Sequence, residues 1–213
     1  MKRLFKSLLS LALFFLTVTP SYAREFNGYI VKLEGDTVRG RVIVKSNMMM
    51  PDMVAIQYSI HFRPAEGKTR RYEPRNLLGF GILDEDTLHY KRVEFEEQNH
   101  MLSKKMTVTV FMEAVTSGKV DLYHFVRYVA PGQRASVQAQ DEAHKLLVRG
   151  EGKEKAVIVP MYASDPGFST PMNYQKFFSD YLGPQHPLGT RITPEMKIKE
   201  ITETVRSYNE SVN

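Results

Sequence analysis

Few side chains of this sequence have both the residue type and the spacing that metal binding or catalysis requires. Its histidines stand at positions 61, 89, 100, 124, 144 and 186. No two of them have the short separation that places metal ligands side by side, so the sequence predicts no bound metal and no cofactor. Asp121 and His124 are tempting acid–base neighbours, but an odd separation directs two residues of a regular strand to opposite faces. These two side chains are therefore not expected to form a dyad.

Signatures of known enzymes do not occur in this sequence. It has no cysteine, no Gly-x-Ser-x-Gly elbow, no phosphate-binding glycine loop and no dinucleotide fingerprint. Glu113 shares one face of its strand with Thr107, Thr109 and Phe111, where it is either a buried carboxylate or an ordinary surface residue. An enzyme, most simply a hydrolase, would have to assemble its site from His124, Glu113 or the acidic turns. The sequence leans against catalysis but leaves this alternative open.

A basic segment is the best candidate for a binding site. Its cations are Arg63, Lys68, Arg70, Arg71 and Arg75. Only two acidic residues, Glu66 and Glu73, lie among them, which leaves a local net charge of +3. Such a patch would bind an anionic envelope component, for example the phosphates of lipid A, through charge-assisted hydrogen bonds. The alternative interpretation is a basic edge strand that prevents sheet-to-sheet aggregation.

The elements that would position these side chains are mostly strands. Between residues 25 and 159 the apolar residues recur with a period of two, interrupted by turn residues. The predicted strands cover residues 29–33, 38–45, 54–62, 77–83, 87–95, 106–114, 119–129, 144–149 and 155–159. Their short connections predict antiparallel pairing, in a sandwich or a partly closed barrel. In the strand at 87–95 the apolar register slips between Tyr90 and Val93, which predicts a β-bulge.

Two α-helices are expected at the C-terminus. Aromatic and apolar residues at 174, 177, 178, 181 and 182 have helical spacing, and Gly183-Pro184 ends the pattern. Thr170-Pro171 and Thr193-Pro194 predict the two helix starts. We therefore expect an antiparallel β domain over residues 24–160 and a helical segment over residues 161–213 packed on it.

Residues 1–23 have the features of a cleaved signal peptide. A positively charged start precedes the apolar run at 8–18, and Ser21-Tyr22-Ala23 provides small residues for cleavage. The run is too short to span a bilayer, and no cysteine follows it as a lipoprotein anchor would require. Removing this segment takes away three cations and no anion, so the net charge of +5 falls to +2. We expect an exported protein in the periplasm or at the outer envelope, without a transmembrane span and without nucleic acid as a partner.

Several short motifs resemble a group of uncharacterised exported β-rich proteins common in Bacteroidota. After the signal peptide they are Gly28-Tyr29-Ile30-Val31, the turn segment 35–40, the strand segments 111–115 and 118–123, and Tyr208-Asn209 near the end. Members of the group often carry Asp-Cys-Pro where this chain has Asp180-Tyr181-Leu182, so no thiol role is implied here. The resemblance implies an envelope location and a β-rich body followed by helices, and it implies no reaction.

The function expected from the sequence is therefore a non-catalytic binding or interaction module of the cell envelope. Its partner would be an envelope protein, a glycan or an anionic lipid component.

Overall fold

Most of the chain forms one antiparallel sheet. The computed structural model describes residues 23–47, 50–84, 87–99, 104–127, 143–160 and 173–212. Within these ranges the strands are β1 Ala23–Lys32, β2 Thr37–Asn47, β3 Met50–Pro51, β4 Ile60–Pro64, β5 Arg70–Tyr72, β6 Leu77–Leu83, β7 Thr87–Asn99, β8 Lys104–Thr116, β9 Val120–Arg127, β10 Ala143–Gly150 and β11 Val157–Val159. The α-helices of the same ranges are α1 Tyr174–Leu182, α2 Pro187–Arg191 and α3 Ile198–Val212.

The sheet runs in the order β11-β10-β9-β8-β7-β6-β1-β2-β4-β5, and β3 pairs with β2. The chain is thus mainly β with C-terminal helices, which confirms the fold class expected from the sequence. The predicted hairpins at residues 29–45 and 144–159 are present as β1–β2 and β10–β11. Gly35, with a φ of 94°, provides the left-handed backbone of the first turn. None of the helices in the described ranges is long and apolar enough to cross a membrane.

Three groups of buried side chains hold the sheet and the helices together. The N-terminal core contains Ile30, Val42, Val44, Ile56, Ile60, Phe62, Leu77, Phe80, Ile82, Tyr90 and Phe111. The strand core contains Val93, Phe95, Val110, Met112, Tyr123, Phe125, Leu147 and Ala156. The helix core contains Val120, Leu122, Leu146, Val148, Val159, Tyr174, Phe178, Leu188, Ile192, Ile201, Val205 and Tyr208. Because the helix core joins β9 and β10 to all three helices, the helical segment is packed directly on the sheet.

The buried face of the sheet changes along its length. In β8, Phe111 packs in the N-terminal core, whereas its neighbours Val110 and Met112 point to the opposite face and pack in the strand core. In the last strands the sheet curls back towards β7, where the Ala156 amide donates to the Glu94 carbonyl at 2.8 Å. The strand core lies on the inner side of this curl. The helices cover the opposite side, so β9 and β10 are buried on both faces.

The prediction of a bulge in β7 is wrong. The slip in the apolar pattern that suggested it comes from this change of the buried face. β7 pairs with β6 and then with β8 without any shift of register. Tyr90 belongs to the N-terminal core, whereas Val93 and Phe95 belong to the strand core on the other face. The slip in the apolar pattern therefore marks the place where one core ends and the other begins.

Two further predictions differ from the structure in their boundaries. The first part of the strand expected at 54–62 is a 3-10 turn, Ala55–Gln57, because the Asp52 carboxylate accepts a hydrogen bond from the Ala55 amide at 2.9 Å and turns the chain. The last helix begins at Ile198 rather than at Thr193-Pro194, since Glu200 accepts from the amide of Lys197 at 2.7 Å. The start predicted for the first helix, at 170–171, lies outside the described residues.

Two buried side-chain amides hold β9 in place. The Gln57 side chain donates to the Val126 carbonyl at 2.8 Å and accepts from the Val126 amide at 3.0 Å. At the other end of β9, Asn209 of α3 makes the same pair of bonds with Val120, at 2.8 and 3.1 Å. Each amide thereby replaces the backbone of a neighbouring strand where ordinary pairing stops. β9 is consequently fixed at both ends, which positions the side chains between them.

Candidate functional site

The clearest candidate site is a cluster of arginines on the outer face of the N-terminal strands. Val42 and Val44 of β2 point into the N-terminal core, so Arg39 and Arg41 point to the opposite face. Arg41 lies directly opposite Arg63 of β4. Arg39 is two positions away on the same strand and shares that face. We call Arg39, Arg41 and Arg63 the arginine face.

The arginine face borders an open groove of about 540 Å³. The three arginines line it together with Asn27 and the backbone of Gly28 and Gly40, which are paired across β1 and β2. Arg39 and Arg41 are exposed and Arg63 is partly exposed, so the guanidinium groups are accessible from solution. A groove with cationic walls and a backbone floor is suited to bind an anion by hydrogen bonds.

The charges on this face are not balanced by the described part of the chain. Glu25 of β1 accepts a hydrogen bond from Arg63 at 2.5 Å. Within the described residues Arg39 and Arg41 pair with no carboxylate. Like charges directly opposite each other on neighbouring strands destabilise a sheet, and Arg41 and Arg63 are such a pair. Among the described residues, Arg63 is therefore the one arginine of this face that has a carboxylate partner.

His61 reports the positive field beside the arginine face. It lies on the same outer face, opposite Ile43 on one side and Arg71 on the other. Partial burial, together with the charges of Lys45 and Arg71, lowers the pKa of His61. A cationic imidazole is disfavoured here first because the ring is partly removed from water, and second because Lys45 and Arg71 are cations.

The structure does not bring the five predicted patch residues onto one surface. Arg63 and Arg71 lie on the outer face, but Arg70 pairs with Phe62 and so lies on the face of the N-terminal core. Lys68 lines a second groove, of about 260 Å³, together with Arg70. Arg75 lies in a 3-10 turn and forms an exposed ion pair with Glu73 at 3.0 Å. Only Arg63 of the predicted patch borders the main groove.

Arg39 and Arg41 were missed by the reasoning from sequence. They alternate with Val38, Gly40 and Val42 in a predicted strand, so their common face could have been inferred. Their proximity to Arg63 could not, because it depends on which strands pair and in which register.

A second cluster lies on the sheet between the N-terminal core and the helix core. Tyr90, Glu113, His124 and Leu146 are directly opposite one another across β7, β8, β9 and β10. Glu113 Oε2 lies 3.3 Å from His124 Nδ1, and His124 Nε2 lies 2.7 Å from Nδ1 of His144. The planes of the two imidazole rings are only 6° apart. Burial and the charge of Glu113 raise the pKa of Tyr90.

The contact between Glu113 and His124 is the kind of pair that a hydrolase would need, but its geometry does not offer a free base. Glu113 occupies one ring nitrogen of His124 and His144 occupies the other. A nucleophile would need one of these nitrogens. In the described part of the chain no group of three or more His, Asp or Glu side chains is arranged to hold a metal ion.

A third cluster surrounds Asp121 and has all its charges satisfied. Its carboxylate accepts from Tyr123 and from Arg149, both at 2.7 Å, from the Gly118 amide at 3.2 Å, and lies 3.6 Å from Lys91 Nζ. Burial alone would raise the pKa of Asp121, but the bonds from Arg149 and Tyr123 and the charge of Lys91 hold it below its usual value. As expected, Asp121 and His124 point to opposite faces. The cluster stabilises one end of the strand core and presents no unsatisfied group.

Comparisons with known proteins add no assignment to this geometry. No family model, no curated protein and no solved structure matches the chain.

Proposed function

We propose that this protein is an exported, non-catalytic binding module of the cell envelope, and that its ligand is a phosphate-bearing envelope glycolipid of the lipid A type. The observation that carries the proposal is the arginine face, where three guanidinium groups border one groove and, within the described residues, only Arg63 pairs with a carboxylate. A phosphate group in this groove would supply the negative charge that the described residues lack. It would also accept paired hydrogen bonds from the planar guanidinium groups.

The groove favours binding over catalysis. A guanidinium group has hydrogen-bond donors and no acceptor atom, so the arginines of the groove cannot act as general bases. Among the described residues, the side chains that line it include no histidine, no carboxylate and no hydroxyl group. The chemistry available at this place is therefore recognition of an anion.

The groove also favours a headgroup over a long polyanion. The three cations of the arginine face occupy neighbouring positions on the paired strands β2 and β4. Nucleic acids, in contrast, are bound along an extended basic surface. The small positive charge of the chain without residues 1–23 agrees with a local site. A compact group with one or two phosphates fits such a site.

Cosedimentation with lipid vesicles tests the proposal. The protein should bind phosphatidylcholine vesicles that contain lipid A and should not bind phosphatidylcholine alone. Arg39→Ala and Arg41→Ala should each weaken binding by about tenfold or more, because each removes a charge-assisted hydrogen bond worth roughly 1.5–3 kcal/mol. Arg70→Ala is the matched control, since it removes the same charge from the opposite face of the sheet.

Two results would contradict the proposal. Equal loss of binding in Arg70→Ala and Arg41→Ala would show a general charge effect and not a site. Undiminished binding to lipid A from which the phosphates have been removed would show that the ligand is recognised by another group.

A further inference from the structure

His124, His144 and Glu113 form a row that the fold assembles from three strands. Glu113 of β8 is directly opposite His124 of β9. His144 of β10 pairs with Val126, and so it lies on the diagonal next to His124 and on the same face. His144 is exposed and the His124 side chain is 31% exposed, so both rings can be reached from solution.

We propose that His124 and His144 bind one divalent transition-metal ion of the copper–zinc group, with Glu113 as the carboxylate that orients His124. The site is independent of the arginine face, which lies on the N-terminal strands. It also departs from the expectation, based on the sequence, that the chain holds no metal.

The hydrogen bonds fix which nitrogen of His124 would bind the ion. A carboxylate only accepts hydrogen bonds, so Nδ1 of His124 donates to Glu113, and in the neutral imidazole Nε2 then carries the lone pair. That lone pair points at Nδ1 of His144, 2.7 Å away. A histidine that donates one ring N–H to a carboxylate and offers its other nitrogen to an ion is the usual arrangement of a metal ligand.

The separation of the two nitrogens is close to what an ion requires. Two imidazole nitrogens bound to one tetrahedral Zn²⁺, each at roughly 2.0–2.1 Å, lie about 3.4 Å apart. The present 2.7 Å is the length of a hydrogen bond. Small rotations of the exposed His144 ring would open the gap and replace the shared hydrogen with the ion. The neutral His144 ring would then carry its hydrogen on Nε2, so each imidazole stays neutral.

Glu113 acts from behind His124 and does not reach the same ion. It contacts Nδ1, on the side of the ring away from Nε2. The ion would therefore have two protein ligands from this row, and water would complete its coordination. Imidazole nitrogen selects Cu²⁺, Ni²⁺ and Zn²⁺ over Mg²⁺ and Ca²⁺, which prefer oxygen ligands.

The surrounding fold supports a site of fixed geometry. β9 is tied down near His124 by the two bonds between Gln57 and Val126. Leu122 and Leu146, on the same face as the two histidines, are fully or almost fully buried in the helix core. The backbones that carry the ligands are thus held by packing that the ion does not have to organise.

Calorimetric titration of the purified protein with CuCl₂ and with ZnCl₂ tests the site. One ion should bind per chain, with Cu²⁺ tighter than Zn²⁺, and MgCl₂ should give no binding. His144→Ala should remove this binding, and Glu113→Gln should retain it with an affinity about 10- to 100-fold lower. His61→Ala is the control, because it removes a histidine on the N-terminal strands and should leave the titration unchanged. The Cu²⁺ complex should also show nitrogen hyperfine splitting in its electron paramagnetic resonance spectrum.

Three outcomes would overturn the proposal. They are a wild-type protein that binds neither ion, a His144→Ala variant that binds like the wild type, and a His61→Ala variant that loses the binding. Because His144 is exposed, its alanine variant should fold, and far-ultraviolet circular dichroism checks this directly. A negative result in the metal titration would leave the outcome of the lipid A experiment unaffected, since the two sites share no residue.

Discussion

The Asp121 cluster and the arginine face show two ways in which one sheet carries charge. At Asp121 a mostly buried carboxylate receives bonds from Arg149, Tyr123 and a backbone amide, with Lys91 close by. On the arginine face two cations are directly opposite each other, and the nearby Glu25 pairs with only one of them. Within the described residues the charges of the first cluster are all paired, whereas those of the second are not.

This difference separates a structural role from a binding role. Burying charged groups is costly unless they are paired and hydrogen-bonded, and the Asp121 cluster meets this condition. In the described residues no fully buried side-chain polar atom lacks a hydrogen-bond partner. The arginines avoid the cost by remaining in contact with water, at the expense of mutual repulsion. An anionic ligand would remove that repulsion, whereas the Asp121 cluster has nothing to gain from one.

The largest expected effect comes from breaking the complete cluster. Asp121→Asn removes the negative charge and leaves Arg149 partly buried without a counterion, which should lower the free energy of unfolding by about 3 kcal/mol. Urea denaturation followed by circular dichroism measures this. Asp180→Asn is the matched control, because Asp180 forms an ion pair of the same 2.7 Å length with Lys176 on an exposed helix face. Asp180→Asn should lower the free energy of unfolding by about 0.5 kcal/mol or less. Equal losses of unfolding free energy in the two variants would contradict the structural role of Asp121.

The stabilisation by Asp121 should depend on pH in a defined direction. Its pKa in the folded protein is lowered, so the ionised form stabilises the fold above the unfolded value of about 3.9. The contribution is lost as the pH falls below this value and through the lowered pKa. The difference in unfolding free energy between the wild type and Asp121→Asn should therefore be constant near neutral pH and shrink in acid. A difference that grew as the pH fell would refute the sign of the shift.

The smallest expected effect comes from the incomplete cluster. Arg41→Ala removes one member of a directly opposed pair of like charges, so it should stabilise the protein slightly, by up to about 0.5 kcal/mol. The gain should decrease when salt screens the repulsion. Urea denaturation at two salt concentrations measures both effects. If Arg41→Ala instead lowered the free energy of unfolding by more than about 1 kcal/mol, Arg41 would stabilise the fold. The contrast between Arg41 and Asp121 would then be lost.

Local patterns of the sequence predicted the elements better than the sites. The turn at Gly35, the hairpin before Val157 and the aromatic stripe that ends at Gly183 all depend on neighbouring residues, and all are present. The segment 54–62 shows where such reasoning fails. Its alternating apolar residues suit a strand, but Asp52 turns the chain, and Val54 and Ile56 are buried from a 3-10 turn instead.

The candidate sites depend on contacts between residues that are far apart in the sequence. Arg41 and Arg63 are 22 positions apart in the sequence, and His124 and His144 are 20 positions apart. Strand pairing brings the members of each pair together. The sequence placed Arg41, His124 and His144 on predicted strands, and it placed Arg63 directly after one. It gave no indication that β2 pairs with β4 or β9 with β10, because no short turn joins either pair, so neither cluster could be inferred from spacing.

The sequence by itself determined most of the strands, the hairpins at residues 29–45 and 144–159 and the helical stripe, because these follow from the alternation of apolar and polar side chains and from the turn residues between them. Only the tertiary structure decided which face of each strand is buried. Tyr90 and Val93 belong to different cores, although they lie on one uninterrupted strand. Alternation defines two faces for every strand but does not say what covers each face. That choice depends on twist, on register and on packing between distant segments, and the same choice brings the arginines and the histidines together.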